Sequence, residues 1–461
     1  MTGATLDREA VLRDIRSGLR PGQQALADWT GGPLAVSAVP GSGKSTGMAA
    51  AAAIAIARHR LHANRQLVLV TFTRSAAANL KAKVRRHLRE LALPLNSFVV
   101  YTLHGLALTI ATRNPELSNL SLETLNLISP LQSNRLIRTC VEQWIVTNPN
   151  AYQRLIEGRQ FDGEETERLR RQSVLRTEVL PDLALTAIRE AKSSGVIPEA
   201  LGEMAQSFTQ RLPGDVEDYE VLAIAAGLYQ SYQDLLQQRG LIDYDDMILA
   251  ALRTLRDDQT RQFWQERIFA VFEDEAQDSS PLQTDLLTLL AAVPDSQNQD
   301  LSSNLVRVGD PNQAINSTFT PADPVFFNQF CDRCQRQARL VTMDQAGRST
   351  QIIMDAANYL LRWVNQADVA GPETPFREQA ISPVAWDDPQ ADANPNPLGA
   401  GLEMHTPGDI TDSVRLMAQR VVDLARQQPE LSFAILVRDG RQGLFVGNLL
   451  RQPEALGVDL S

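Results

Sequence analysis

A chain of 461 residues with 43% hydrophobic and 21% charged residues has a globular composition and is long enough for roughly three domains. Its net charge of −11, read as a whole, argues weakly against nucleic acid, and its three cysteines are too few for a disulfide framework. The longest small-apolar run ends at Ala57, far short of the ~20 residues of a membrane span, and the charged amino terminus has no apolar signal core. A soluble protein of the reducing cytoplasm is expected. The charge is uneven, however: residues 1–105 hold fourteen Lys/Arg against five Asp/Glu. A basic segment facing a polyanion and chance variation among helix surfaces explain this equally well.

Residues 20–105 alternate between strand and helix patterns. "PLAVSAV" and "RQLVLVTFT" read as buried strands, "AAANLKAKVRRHLREL" as a helix and "NSFVVYTLH" as a third strand. From about residue 115 to 265 the pattern turns helical, with few glycines. Strands resume with "RIFAVFEDE" and "NLVRVGD", so a helical block interrupts one α/β sheet. A second α/β unit is expected from about 335, with the helix "STQIIMDAANYLLRWV", a Pro/Asp/Asn-rich loop and the strand "SFAILVR".

Between the first strand and an alanine-rich helix lies "SAVPGSGKST", residues 37–46. Strand, glycine-rich turn and helix N-terminus in that order form a phosphate cradle, here built from Gly41, Ser42, Gly43, Lys44, Ser45 and Thr46. Lys44 supplies charge to the outer phosphates and Ser45 a hydroxyl to Mg²⁺, although Ala38 replaces the usual first glycine. "IFAVFEDEAQD" then offers Asp274 to orient Mg²⁺ and Glu275 to activate the attacking water. Glu273 turns to the other face of the strand and is assigned no role. "VRVGDPNQAINSTF" puts Asp310 and Gln313 in the loop after a further strand, where Gln313 can sense the γ-phosphate. Lys81, Arg85 and Arg89 share one helix face and are read as solvated rather than as a phosphate track. Cys331 and Cys334 lack the other two ligands of a zinc site and are read as ordinary thiols.

With these motifs assembled, the chain resembles the UvrD/Rep/PcrA group of superfamily 1 DNA helicases over nearly its whole length. "LRPGQQALADW" looks like the group's adenine-reading segment, with Gln23 the base contact, and "GRSTQIIMDAAN" like the segment that presents an arginine, Arg348, to the γ-phosphate. "VTFTRSAAANLKAKV", "YTLHGLA", "LIDYDDM", "DEAQDSSPLQ" and "GDPNQAI" are similar to further motifs of the group. The resemblance implies an α/β fold: a RecA-like P-loop NTPase domain with a helical insertion and part of a second RecA-like domain. Residues 1–110 and 261–332 would form the first motor domain, 111–260 the insertion and 333–461 the incomplete second domain. ATP and Mg²⁺ as cofactors, and 3′ to 5′ movement along single-stranded DNA, follow as expectations. Phe72 would stack a base, with Thr73, Thr102, His104 and Phe319 also at the strand.

The chain departs from the pattern in places. Asn316 and Thr318 stand where aromatic stacking residues are usual, with Phe319 able to compensate, and Gly347 replaces the tyrosine expected over adenine. No H-x-x-K-G-L-E or R-L-L-Y-V-A-x-T-R-A-like segment follows. An arginine finger contributes about 10³–10⁵ in rate, so slow hydrolysis by this polypeptide alone is expected, with the remainder supplied by a longer protein. The rival reading is a DNA-binding module that ATP switches without translocation. Another class of P-loop ATPase would need an L-S-G-G-Q-like signature, and none occurs.

Overall fold

The computed structural model describes residues 7–118, 120, 126–157, 164–211, 221–293, 303–313, 324–367, 375–390, 394–397, 399–454 and 456–458. They divide into two compact units, Met1–Asn396 and Pro397–Ser461. In the first, six strands make one parallel sheet: β1 (Leu34–Ala38), β2 (Gln66–Thr71), β3 (Phe98–Thr102), β4 (Ile268–Asp274), β5 (Leu305–Gly309) and β6 (Leu340–Met343), in the order β3-β2-β4-β5-β1-β6. Near-continuous apolar runs suit such a sheet because helices cover both of its faces. The helices that matter here are α1 (Pro21–Ala27), α2 (Lys44–Arg58), α3 (Arg74–Glu90), α4 (Leu103–Arg113), α5 (Leu180–Ser193), α6 (Tyr244–Thr254), α7 (Pro281–Ala291), α8 (Pro324–Arg336) and α9 (Gln351–Gln366). One core packs α1, α2 and α3 on the sheet; the other packs α4, α6, α7 and α8 on the opposite face.

The block between α4 and α6 has a core of its own, running from Ile128 to Leu236 and including Leu136, Trp144, Ile188 and Tyr229. A buried ion pair joins it to the sheet layer. Lys192 of α5, fully buried, donates to Asp243 Oδ2 at 2.6 Å and to Asp246 Oδ1 at 2.8 Å. The same two aspartates form the capping box of α6, and Tyr232 donates to Asp243 at 3.1 Å. Burial alone would lower the lysine pKa, but the two carboxylates outweigh it and the pKa is raised.

The packing departs from the expected boundaries in two places. Residues 247–255 belong to the layer on the main sheet, not to the insertion core. The second unit was expected from 333, yet Leu340–Met343 pairs in parallel with β1 along its free edge, and compact packing continues to Asn396. The expected strand "SFAILVR" is also absent. Residues 431–437 are irregular, with Leu436 94% exposed. A strand satisfies its backbone groups against a neighbour, and among the described residues of that unit no strand lies beside it. That unit instead packs two helices, α10 (Ile410–Gln427) and α11 (Gly440–Leu450), through Val414, Ala418 and Val446.

Strand alternation does turn Glu273 away from Asp274, but it has a structural task. It stands opposite Arg307 across β4 and β5, with Arg307 Nε 2.5 Å from Glu273 Oε2 and both side chains 1% exposed. Ser279 donates to the other carboxylate oxygen, while Arg307 reaches the Ala276 carbonyl and Thr284. The turn after β4 is thereby fastened to β5. Removing one member of a buried pair strands the other, at a cost of about 3–5 kcal/mol. Arg307→Met is expected to lose that much in urea unfolding, with partial recovery in Arg307→Met/Glu273→Gln; an Arg307→Met midpoint equal to wild type would refute the assignment.

Candidate nucleotide and DNA sites

The carboxyl ends of β1, β4 and β5 lie side by side, the region where open α/β sheets bind ligands. Beyond β1, Gly41 and Gly43 adopt left-handed backbone at φ +79° and +80°. A Cβ on Gly43 would sit 2.5 Å from Gln23 Nε2, and one on Gly41 2.9 Å from Arg348 Cβ. Only glycine combines that dihedral with that closeness. Lys44 opens α2, and its Nζ donates to Glu275 Oε2 at 2.7 Å. Residues 231 positions apart in sequence thus meet at the mouth of the cradle.

Glu275 itself has a left-handed backbone, φ +55°, a strained conformation for a non-glycine residue and one found at functional turns. Burial pushes its pKa up, but Lys44, the Gln277 hydrogen bond and Arg348 together outweigh burial and hold the carboxyl below its usual range. Asp274 is pushed up to about 6, first by burial and then by the Glu275 charge. Burial likewise pushes Asp310 up to about 6. Arg348, exposed, lies close enough to add to the lowering of Glu275, and Gly347 N–H donates to the Gly41 carbonyl at 3.3 Å. Gln313 N–H closes a turn on the Asp310 carbonyl at 3.1 Å; its side chain makes no hydrogen bond to Lys44 or Glu275.

Two contributors escaped the sequence reading. Gln277 donates to Glu275 Oε2 at 3.0 Å and accepts from Asp310 N–H at 2.9 Å, tying the β4 and β5 loops together. Its signal was its place two residues after the candidate base, inside "DEAQD". Lys83 donates to Thr46 Oγ1 at 3.0 Å. It lies off the Lys81–Arg85–Arg89 face, whose three residues are exposed as read.

Gln23 is buried on α1. Its Nε2 donates to the carbonyls of Ser42 (2.8 Å) and Gly43 (3.3 Å), and its Oε1 accepts from Arg20 N–H at 3.1 Å and from Gln390 Nε2.

On the face toward the insertion, Phe72 (42% exposed) and His104 line a cavity of about 460 Å³ with Tyr244, Asp245, Arg189 and Lys192. The His104 and Tyr244 rings meet edge to face at 5.0 Å. Burial lowers the His104 pKa, so near neutral pH it is an uncharged ring rather than a phosphate partner. Thr73 and Thr102 are N-caps of α3 and α4, their hydroxyl oxygens accepting from Ala76 and Gly105 N–H. Phe319, with Asn316 and Thr318, lies outside the described residues. Cys331 and Cys334 are buried free thiols, and no cluster of metal-binding side chains occurs among the described residues. No described helix is long and apolar enough to cross a membrane.

A family model for the UvrD/REP helicase N-terminal domain matches residues 19–335. The chain belongs to that family. Similar curated proteins include the ATP-dependent DNA helicases UvrD1 of Mycobacterium tuberculosis (28% identical over 75% of this chain and 39% of that protein). SRS2 of Saccharomyces cerevisiae is 26% identical over 74% of this chain and 26% of its own length. PcrA of Bacillus subtilis is 24% identical over 76% and 40%. This UvrD-type chain therefore spans well under half the length of these relatives, and its six-stranded parallel α/β sheet fits a RecA-like helicase domain.

Within the cavity, burial and then Asp243 push Asp245 up to about 7. The folded chain thus holds this proton at pH values where the unfolded chain has released it. The associated stability is full below the ordinary aspartate pKa and is lost as pH rises through about 7. Asp245→Asn is expected to melt above wild type by a margin that widens from about pH 5 to about pH 8. A margin that stays constant across paired thermal melts would contradict this.

Proposed function

We propose that this chain binds ATP with Mg²⁺ at the ends of β1, β4 and β5 and hydrolyses it to drive movement along single-stranded DNA, 3′ to 5′, as the amino-terminal portion of a longer helicase. The observation that carries the reading is the Lys44–Glu275 contact at 2.7 Å, with Asp274 the preceding residue and Arg348 beside Gly41. Lysine, metal-holding carboxylate, base and arginine are what phosphoryl transfer to water requires, since positioning and charge stabilisation do most of the work.

The residues suit the ligand. Ser42 Oγ and Asp310 Oδ2 are buried with no protein partner, and the two glycines keep the cradle open to phosphate oxygens. Ser45 and Asp274 are the hard oxygen donors that would hold Mg²⁺, which neutralises phosphate charge when bound. Lys44 would exchange the carboxylate for phosphate oxygens, releasing Glu275 to orient and deprotonate water. Gln313 would report the γ-phosphate to the neighbouring loops. Phe72 offers an exposed ring for a base, and neutral His104 with Tyr244 walls the same cavity. Thr102 would offer its hydroxyl proton to a DNA backbone beside its capping role, and Thr73 would do so with its hydroxyl 3.1 Å from that of Ser75. Hydrolysis by residues 1–461 alone would be slow.

Lys44→Ala is expected to abolish ATP binding. Glu275→Gln is expected to keep it while cutting DNA-stimulated hydrolysis by about 10²–10⁴-fold. Steady-state hydrolysis with and without single-stranded DNA, paired with nucleotide titration, reads both. Streptavidin displacement from either end of a strand reads direction. ATP that alters DNA affinity without measurable hydrolysis by the complete protein would favour the switch reading.

A further inference from the structure

Residues 375–390 run back past the candidate nucleotide site and bond to β1, the loop after β5, the segment before Arg348 and the segment holding Gln23. Arg377 exchanges two backbone hydrogen bonds with the Asn312 side chain, at 2.9 and 3.0 Å. Gln379 donates to the Ser37 carbonyl at 3.0 Å and accepts from the Ser37 hydroxyl. Ser382–Pro383 pairs with Gln345–Ala346, just before Arg348. Asp388 accepts from Arg20 in a buried ion pair at 2.6 Å, with the two side chains 3–4% exposed. Gln390 Nε2 then donates to Gln23 Oε1.

That last contact has a specific chemistry. Both Gln23 amide hydrogens point at P-loop carbonyls, and one side of its oxygen accepts from the Arg20 backbone. What Gln23 presents to a ligand is one remaining acceptor position, and the Gln390 amino group fills it. The 6-amino group of adenine is a donor of the same kind; the 6-carbonyl of guanine would set acceptor against acceptor.

Resting on the ATP-site reading above, we infer that Gln390 is an internal stand-in for the adenine amino group: it competes for Gln23, and the base of an incoming nucleotide displaces it. The exchange trades one neutral hydrogen bond for another, so it leaves the phosphate cradle untouched and penalises only ligands that carry a base. The Arg20–Asp388 pair, two residues before Gln390, keeps the strap anchored during the exchange. A strap that merely braces the site would have the opposite signature, because loosening it would weaken every ligand.

The test is calorimetric titration of the whole chain, wild type, Gln390→Ala and Gln390→Glu, with ATP and with inorganic tripolyphosphate, each with Mg²⁺. Gln390→Ala removes the donor, and Gln390→Glu sets a carboxylate against the Gln23 oxygen. Both are expected to tighten ATP about 3- to 10-fold, the equivalent of one neutral hydrogen bond, with tripolyphosphate affinity unchanged. ATP affinity that is unchanged or weaker in both variants, with wild type still binding ATP, overturns this inference alone. Wild-type protein that binds neither ligand overturns the ATP-site reading and this inference together.

Discussion

Glu273 and Arg307 form a charge pair inside the main sheet, and the geometry of the site depends on it. The two residues face each other across β4 and β5, shut away from water, with the Phe327 and Phe330 rings 5.8 and 5.3 Å from the guanidinium. Such a pair adds little net stability over an apolar substitute, because desolvating both charges is costly. Its value lies in direction. The guanidinium and carboxylate reach Ala276, Ser279 and Thr284, so the chain leaving β4 has one permitted course. In that fastened turn Glu275 has its left-handed backbone and its carboxylate accepts from Lys44.

From there the site is a chain of single hydrogen bonds between loops that otherwise share no contact in sequence. Lys44 meets Glu275, Glu275 meets Gln277, Gln277 meets the backbone of Asp310, and Asp310 closes the turn bearing Gln313. Three strand ends are thereby connected through side chains at the mouth of the cradle. The electrostatics follow the same geometry. Asp274 and Asp310 are pushed toward neutrality by burial, while Glu275, next to a lysine, stays ionised. Three carboxylates at neighbouring strand ends are thus held at different protonation tendencies by their surroundings.

Much of this was legible in the residues because local rules govern it. Buried parallel strands announce themselves as unbroken apolar runs, and β1, β2, β4 and β5 read so. The cradle is contiguous, so its glycines, lysine and hydroxyls stand together in the chain. Where the answer depends on a partner, sequence reasoning fell short. Leu340–Met343 is a plausible strand for either of two sheets, and only the open edge beside β1 decides. "SFAILVR" has the composition of a strand but no neighbour among the described residues. Gln277, Lys83 and Gln390 are ordinary polar residues whose partners lie between 2 and 367 positions away. No periodicity encodes such meetings.

The lysine that joins the insertion to the sheet layer has a consequence for modularity. Asp243 and Asp246 sit on the scaffold while the buried ammonium they share comes from α5, so the helical block is tied to the scaffold by charge. Excising it would take both Lys192 and Tyr232 away from the two carboxylates at the first turn of α6, and a replacement block that covered them again without a cation would bury two unpaired charges. Any lineage or engineer exchanging this block for another must therefore carry over a cation at the same spot or neutralise both aspartates in the same step. The grafting point behaves as a keyed joint, and the key is one ammonium group.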